Sequence, residues 1–218
     1  MINPLFSINI YKTKFNNIKK LKSICEFDIQ SESFSSDRAS YKDLFNEPSK
    51  VSSNLHSWRD NSGTEKLHTT EPFSEITQFI ESHAKIYWDH IEYYNDVRPK
   101  IYQSWITKYH HGGFIDKHDH LPASLTGVLY LNASPEQGNL VFENPLELWL
   151  RTQPYSADKR KGSFFQQEIP VATGDLILFP GYLRHYTLPN RSQQDRIIMS
   201  FNLNSTGQFD NPYRKKIL

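Results

Sequence analysis

Two histidines stand one residue apart in the run Asp116-Lys117-His118-Asp119-His120-Leu121-Pro122, and a third, His185, lies downstream in Phe179-Pro180-Gly181-Tyr182-Leu183-Arg184-His185. Residues i and i+2 of a β-strand project from one face, so a strand over 114–120 aims His118 and His120 at a single ion. With His185 they make a facial set of three ligands with open positions opposite. Redox-active iron uses that arrangement to hold a substrate and oxygen together. Arg196 follows in Asp195-Arg196-Ile197-Ile198-Met199-Ser200-Phe201-Asn202. A guanidinium on the next strand matches a carboxylate with two parallel hydrogen bonds. The plain alternative for the histidine pair is a solvated loop, since His110 and His111 stand just upstream. If the loop is irregular, Asp119 or Asp116 replaces His120 as second ligand.

The elements that must position these residues follow Pro99, where the chain turns to short apolar runs separated by turn residues. Strands are expected over 101–109, 114–120, 124–132, 139–143, 147–151, 163–169, 175–179, 183–188 and 195–204. Many short strands at close intervals predict a sandwich or barrel, here a double-stranded β-helix, or jelly roll. In the last strand Ile197, Met199, Phe201 and Leu203 share one face while Arg196, Ile198, Ser200 and Asn202 share the other. If the second face lines the interior, Arg196 is a buried cation that needs an anion.

Upstream, residues 72–95 read as one long helix that buttresses a sheet. Pro72 sits in its first turn, and Phe73, Ile76, Phe79, Ile80, His83, Tyr87, Ile91 and Tyr94 recur at helical spacing. Residues 5–12 alternate as an opening strand. The serine-rich stretch from Phe27 to His68 is expected to wrap irregularly around the fold. The chain then divides into an N-terminal part (1–100), a jelly-roll core (101–205) and a C-terminal tail (206–218), together one domain.

Composition narrows the function classes. Lys and Arg (25) nearly cancel Asp and Glu (24) over 218 residues, which gives no global basis for nucleic-acid or membrane binding. Cys25 is the only cysteine, so an internal disulfide framework and a cysteine-based zinc site are excluded and a reducing, cytoplasmic setting (a bacterium or an infected host cell) is expected. No window approaches the roughly 20 apolar residues of a membrane span. Lys159-Arg160-Lys161 lies in an expected loop over 152–168 near the barrel mouth, a solvated loop or a lid.

The order His118-Asp-His120-Leu-Pro122, a Leu-Tyr130-Leu-Asn strand, a glycine turn, Gly174-Asp-Leu-Ile-Leu-Phe-Pro180, His185 and Arg196 resembles the Fe(II)/2-oxoglutarate-dependent oxygenases, most closely their prolyl-hydroxylase-like branch. More specifically, the chain resembles a family of 2-oxoglutarate oxygenases of marine bacteria and cyanophages through Leu5-Phe6…Ile10-Tyr11, Ser53-Asn54…Trp58, His118-Asp-His120-Leu-Pro122 and Arg196-Ile-Ile-Met-Ser-Phe-Asn202. The resemblance implies His118, His120 and His185 as iron ligands and Arg196 as the anchor of the distal carboxylate of 2-oxoglutarate. It places Tyr130 as a phenol on the same carboxylate and Tyr109 as a second phenol at the pocket, with Ser200 and Asn202 as further donors. Fe(II), 2-oxoglutarate and dioxygen are then the expected partners, hydroxylation of an unidentified small molecule or peptide the expected outcome.

His120 departs from the His-x-Asp or His-x-Glu usual in that superfamily. A neutral imidazole removes one negative charge from around the metal, which weakens Fe(II) binding and raises its reduction potential. Two other accounts stay open: a three-histidine cupin-like dioxygenase without 2-oxoglutarate, and a non-catalytic jelly roll that binds a metal or ligand. Nucleic-acid demethylation is disfavoured, because the Arg196 motif lacks a second arginine.

Overall fold

The computed structural model describes residues 7–30, 35–36, 54–56, 66–91, 98–146 and 165–206. Among these residues ten strands and two α-helices form the framework, and every strand pairing is antiparallel. The strands are β1 (Tyr11–Lys14), β2 (Ser35–Ser36), β3 (Asn54–His56), β4 (Arg98–Tyr109), β5 (Leu125–Asn132), β6 (Leu140–Glu143), β7 (Gln166–Ile169), β8 (Asp175–Pro180), β9 (His185–Thr187) and β10 (Arg196–Thr206). A seven-stranded sheet runs β1-β8-β5-β10-β4-β3-β2, and a three-stranded sheet runs β7-β6-β9. Their facing gives the jelly roll expected from the sequence.

The two faces of the large sheet bury different cores. Leu125, Leu129, Leu131, Leu176, Leu178, Ile197, Met199, Phe201 and Leu203 point outward, to a cluster completed by the helices. Val128, Tyr130, Ile177, Phe179 and Ile198 point inward, toward Leu140 and Phe142 of the small sheet. A strand covered on both sides needs no polar alternation, which is why β5 and β8 read as almost unbroken apolar runs.

Helix α1 (Ile18–Gln30) is one the sequence reading did not expect. Its buried residues Leu21 and Ile24 stand among Lys19, Lys20, Lys22 and Ser23, so the stripe is thin. Asn17 caps it, its Oδ1 accepting the Lys20 amide at 3.1 Å. Helix α2 (Ser74–His90) is shorter than the expected 72–95. Pro72 precedes it, behind a cis Glu71–Pro72 bond, instead of lying in its first turn. Ile76, Ile80, Ala84, Tyr87 and Trp88 form its buried stripe, and His83 meets the Tyr11 hydroxyl at 2.7 Å. The opening strand is displaced from 5–12 to Tyr11–Lys14.

Strand expectations over 101–109, 124–132, 139–143, 163–169, 175–179, 183–188 and 195–204 match β4 to β10 to within a few residues. Segment 114–120 does not form a strand: it contributes only an isolated bridge, His118 to His185. The expected strand 147–151, most of the 152–168 loop, Ser53, Trp58 and most of 27–68 lie outside the described residues. No helix among the described residues is long and apolar enough to cross a membrane.

Candidate active site

His118, His120 and His185 come together although 114–120 is not a strand. Main-chain bonds do the positioning. His118 and His185 exchange N–H···O bonds of 3.0 Å in both directions, and the His120 amide donates to the Gly181 carbonyl at 2.8 Å. The three side chains present ligand atoms within 4.8 Å of one another, the one such group of histidine, cysteine or acidic residues found among the described residues. Their ring centroids are 4.4–5.2 Å apart. Asp119 is exposed and its Oδ1 accepts the Leu121 amide; Asp116 is exposed too, its Oδ1 accepting the Lys117 amide. Neither aspartate belongs to the group.

The protonation states suit metal binding. His118 Nδ1 lies 2.7 Å from the Asp116 carbonyl, and His185 Nδ1 lies 2.9 Å from the Leu183 carbonyl. A carbonyl only accepts, so both Nδ1 atoms carry the proton and each Nε2 keeps its lone pair for a metal. Burial, reinforced by the neighbouring His118, pushes the His120 imidazole down to about 3, against the opposing pull of Asp119. Burial and the two other histidines hold His185 well below its ordinary range. Phe179 packs edge-on against His185 with centroids 4.6 Å apart, and Trp105 lies 5.8 Å from His120.

Arg196 opens β10 directly opposite Tyr109 of β4, and its side chain is wholly buried. Nη1 donates to the carbonyls of Gln137, Gly138 (2.9 Å) and Leu188 (3.1 Å), while Nη2 donates to Thr187 Oγ1 at 2.9 Å. Nε has no partner. The guanidinium carbon lies over the Tyr109 ring, 4.3 Å from its centroid. Burial lowers the affinity of this arginine for its proton; the charges that oppose the effect are the phenols of Tyr109 and Tyr130, with no carboxylate among them. Gly138, at φ +87°, makes the carbonyl cage possible: a Cβ there would stand 2.2 Å from the Leu188 oxygen and 2.8 Å from Arg196 Nη1.

An open pocket of about 440 Å³, mouth included, holds the three histidines and reaches Tyr109 and Thr187, which touch the Arg196 side chain from the other side. The three histidines, Tyr109, Tyr130, Thr187, Ile198 and Ser200 are among its walls. The Tyr130 hydroxyl is buried without a partner, and burial raises its pKa well above the ordinary range despite nearby Arg196. Asn202 is not part of the lining. Its Oδ1 accepts a hydrogen bond from Thr126 Oγ1 and its Nδ2 donates one to Gln103, so both ends of its amide are engaged within the barrel wall. Thr187 and Trp105 escaped the sequence reading. The sole signal for Thr187 was its place two residues after His185, on the same strand face.

The donor set fits a first-row metal ion, since imidazole suits iron, nickel and zinc. Tyr130 O–H on the pocket wall and Arg196 Nε–H behind it have no partner among the described residues, and both fit an acceptor-only group such as a carboxylate. Comparisons with known proteins agree. No curated protein matches the chain. Residues 103–202 match the model of the family described as "Putative 2OG-Fe(II) oxygenase". Among solved structures, a Pseudomonas putida prolyl-4-hydroxylase is similar with a TM-score of 0.55 at 13% identity, over 92% of this chain and 95% of that one. The epimerase SnoN from nogalamycin biosynthesis, in complex with Fe3+, α-ketoglutarate and nogalamycin RO, gives 0.62 at 10% identity over 90% and 78%. HygX from Streptomyces hygroscopicus, with nickel and 2-oxoglutarate bound, gives 0.55 at 10% identity over 90% and 83%. At such identities the structural likeness establishes the fold alone. The family match adds a likeness in the segment itself: residues 103–202, which fit that family's model, carry the three histidines, both phenols and Arg196.

Proposed function

We propose that the protein is an Fe(II)- and 2-oxoglutarate-dependent dioxygenase that hydroxylates a small molecule or peptide and releases succinate and CO2. The observation that carries this reading is Arg196, a wholly buried cation with no carboxylate facing it among the described residues, packed behind Tyr109 and Thr187 of the pocket into which the three histidines open. A buried charge without a counter-charge costs several kcal/mol. A dicarboxylate able to chelate a metal at its other end answers both features at once.

His118, His120 and His185 would hold Fe(II), which when bound supplies the activation of dioxygen and the oxidative decarboxylation of 2-oxoglutarate. The contribution of the chain is positional. Carbonyls of Asp116 and Leu183 fix two of the imidazoles in the ligating tautomer, and burial keeps His120 neutral. All three ligands are uncharged, so the positive charge of the site is left for an anion to neutralise, which favours the dianion 2-oxoglutarate. Arg196 and the Tyr130 hydroxyl donate to its distal carboxylate, while Tyr109 sets the plane of the guanidinium. Phe142 and Phe179, packed around His185, keep water from the reacting centre. Ser200, opposite Trp105 across β4 and β10, lies on the wall left for the substrate.

An anaerobic titration of the Fe(II)-loaded protein with 2-oxoglutarate, followed by its visible metal-to-ligand charge-transfer band, tests the reading. The band should form in wild type and weaken in His120→Ala and Arg196→Ala. Iron bound without any band would refute 2-oxoglutarate as cosubstrate. A band unchanged in His120→Ala would remove that histidine from the metal.

A further inference from the structure

The antiparallel register sorts the inner wall of the large sheet into rows. Trp105, Ser200 and Val128 form one row across β4, β10 and β5, and all three line the pocket. This row lies beside the metal ligands, with the Trp105 ring 5.8 Å from that of His120. In the next row, further from Arg196, the polar groups are spent on one another. Thr126 Oγ1 donates to Asn202 Oδ1 at 2.9 Å, and Asn202 Nδ2 donates to Gln103 Oε1 at 2.9 Å. What the wall presents at the level of the metal is thus an indole, an isopropyl group and one hydroxyl. Apart from the three histidines, no acidic or basic side chain lines the pocket among the described residues. The charged residues that flank the ligands look elsewhere. Lys117 and Arg184 pair with Glu143, while Asp116 and Asp119 accept the amides of Lys117 and Leu121.

From this distribution we infer that the substrate presents an uncharged, apolar group to the metal, a hydrocarbon chain or ring that lies on Trp105; the inference rests on the dioxygenase reading above. A charged group brought to this wall would lose its hydration and meet no counter-charge, since Arg196 is committed to 2-oxoglutarate. An apolar group is instead driven in by its release from water. Any charge the substrate carries elsewhere stays outside. Leu121 and Tyr182, 67% and 49% exposed, extend the apolar surface outward from the metal. Each directly follows one partner of the bond between the His120 amide and the Gly181 carbonyl. A free amino acid, with both charges close to its C–H bonds, does not meet these demands; an apolar side chain or ring on a neutral skeleton does. Trp105 is then a substrate-positioning residue, whose flat face sets which C–H bond is turned to the metal.

The test uses three probes of one shape and different charge: cyclohexanol, cyclohexylammonium and cyclohexanecarboxylate. The protein is loaded with Mn(II) and saturated with 2-oxoglutarate, and paramagnetic relaxation of the probe protons reports which probe reaches the metal. Zn(II)-loaded protein supplies the diamagnetic blank. Relaxation of cyclohexanol should exceed that of either ion by about tenfold or more. Trp105→Ala should cut the cyclohexanol effect about tenfold, and Trp105→Phe, which keeps a ring, should restore most of it. An ion relaxed as strongly as cyclohexanol would overturn the inference. So would the absence of relaxation for every probe in protein that holds 2-oxoglutarate. Wild-type relaxation in a Trp105→Ala protein that still gives the charge-transfer band with Fe(II) would overturn the assignment of Trp105. The order of the probes is read in wild type alone, so it decides the matter even where Trp105→Ala does not fold. Failure of wild type itself to bind 2-oxoglutarate would refute the proposed function, a result separate from any order among the probes.

Discussion

Gly138 offers the sharpest check on how the arginine is held, because Gly138→Ala asks the backbone to do two things it cannot. At φ +87° and ψ 137° the residue lies near a region populated almost only by glycine. A side chain there costs about 1–2 kcal/mol before any contact is considered. The added Cβ would also fall 2.2 Å from the Leu188 oxygen and 2.8 Å from Arg196 Nη1. Relief requires the Leu188 carbonyl to withdraw, which breaks its 3.1 Å bond to the guanidinium. A hydrogen bond to a buried charged group adds about 1.5–3 kcal/mol. The expected destabilisation is therefore about 3–5 kcal/mol, a fall in Tm of order 10 °C for a chain of this length. Gly112 is the control: its φ is +80°, yet a Cβ there would meet nothing within 4 Å. Gly112→Ala should lose only the backbone share, about 1–2 kcal/mol. Urea unfolding of the metal-free proteins measures both, and titration with 2-oxoglutarate reports whether Arg196 has moved. If Gly138→Ala were no less stable than Gly112→Ala and bound 2-oxoglutarate like wild type, the carbonyl cage would not be what positions Arg196.

Three further outcomes follow from the same geometry. Tyr130→Phe removes a buried hydroxyl that has no partner, so the metal-free variant should be at least as stable as wild type, by up to about 1 kcal/mol in urea unfolding, while 2-oxoglutarate affinity drops about tenfold. A loss of stability would mean that the hydroxyl already has a partner. The metal-free protein should also weaken as pH falls below 6.5. An unfolded imidazole binds its proton there, whereas folded His120 resists protonation to about 3 and His185 shifts in the same direction. The unfolded state thus holds more protons across that window, and stability declines toward acid by up to about 1.4 kcal/mol per pH unit for each such histidine. A flat stability profile between pH 6.5 and 4.5 would contradict the burial of these rings. Glu143→Gln should weaken metal binding a few-fold at low salt, because Glu143 pairs with Lys117 and with Arg184, the residues immediately before His118 and His185. Calorimetry with Ni(II) at low and at high salt checks this, since the difference should shrink as salt screens exposed charges.

How much the sequence revealed depended on what each element buries. Strands β5, β8 and β10 are covered on both faces or alternate cleanly between two cores, so their runs stand out and their limits were legible to within two residues. Helix α1 was not legible: Lys19, Lys20, Lys22 and Ser23 surround Leu21 and Ile24, and the surviving signal is one capping residue, Asn17. In helix α2 the buried stripe includes Ala84 and Trp88, which the hydrophobic period chosen from the sequence passed over in favour of Phe79 and His83. Both of those lie at its half-buried edge.

The candidate site teaches a different lesson about inference. His118 and His120 were paired by strand geometry, and the structure brings them together without the strand. The His118 bridge to His185 and the His120 bond to Gly181 replace the ladder a strand would have supplied. Spacing alone therefore pointed to residues that converge, though through a wrong intermediate, because any local backbone that ties both residues to the β8–β9 turn produces the same convergence. Arg196 is the contrary case. Its inward direction followed from alternation along β10, and that premise holds: Ile197, Met199 and Phe201 face the helices while Ile198 and Ser200 face the pocket. Hidden from sequence were the partners that make Arg196 usable: three main-chain carbonyls, which every residue possesses, and one threonine in an unremarkable tripeptide. Carbonyls leave no mark in composition or periodicity. A glycine whose conformation and close contacts both require it, Gly138, is the one residue through which such a cage can be read from the chain.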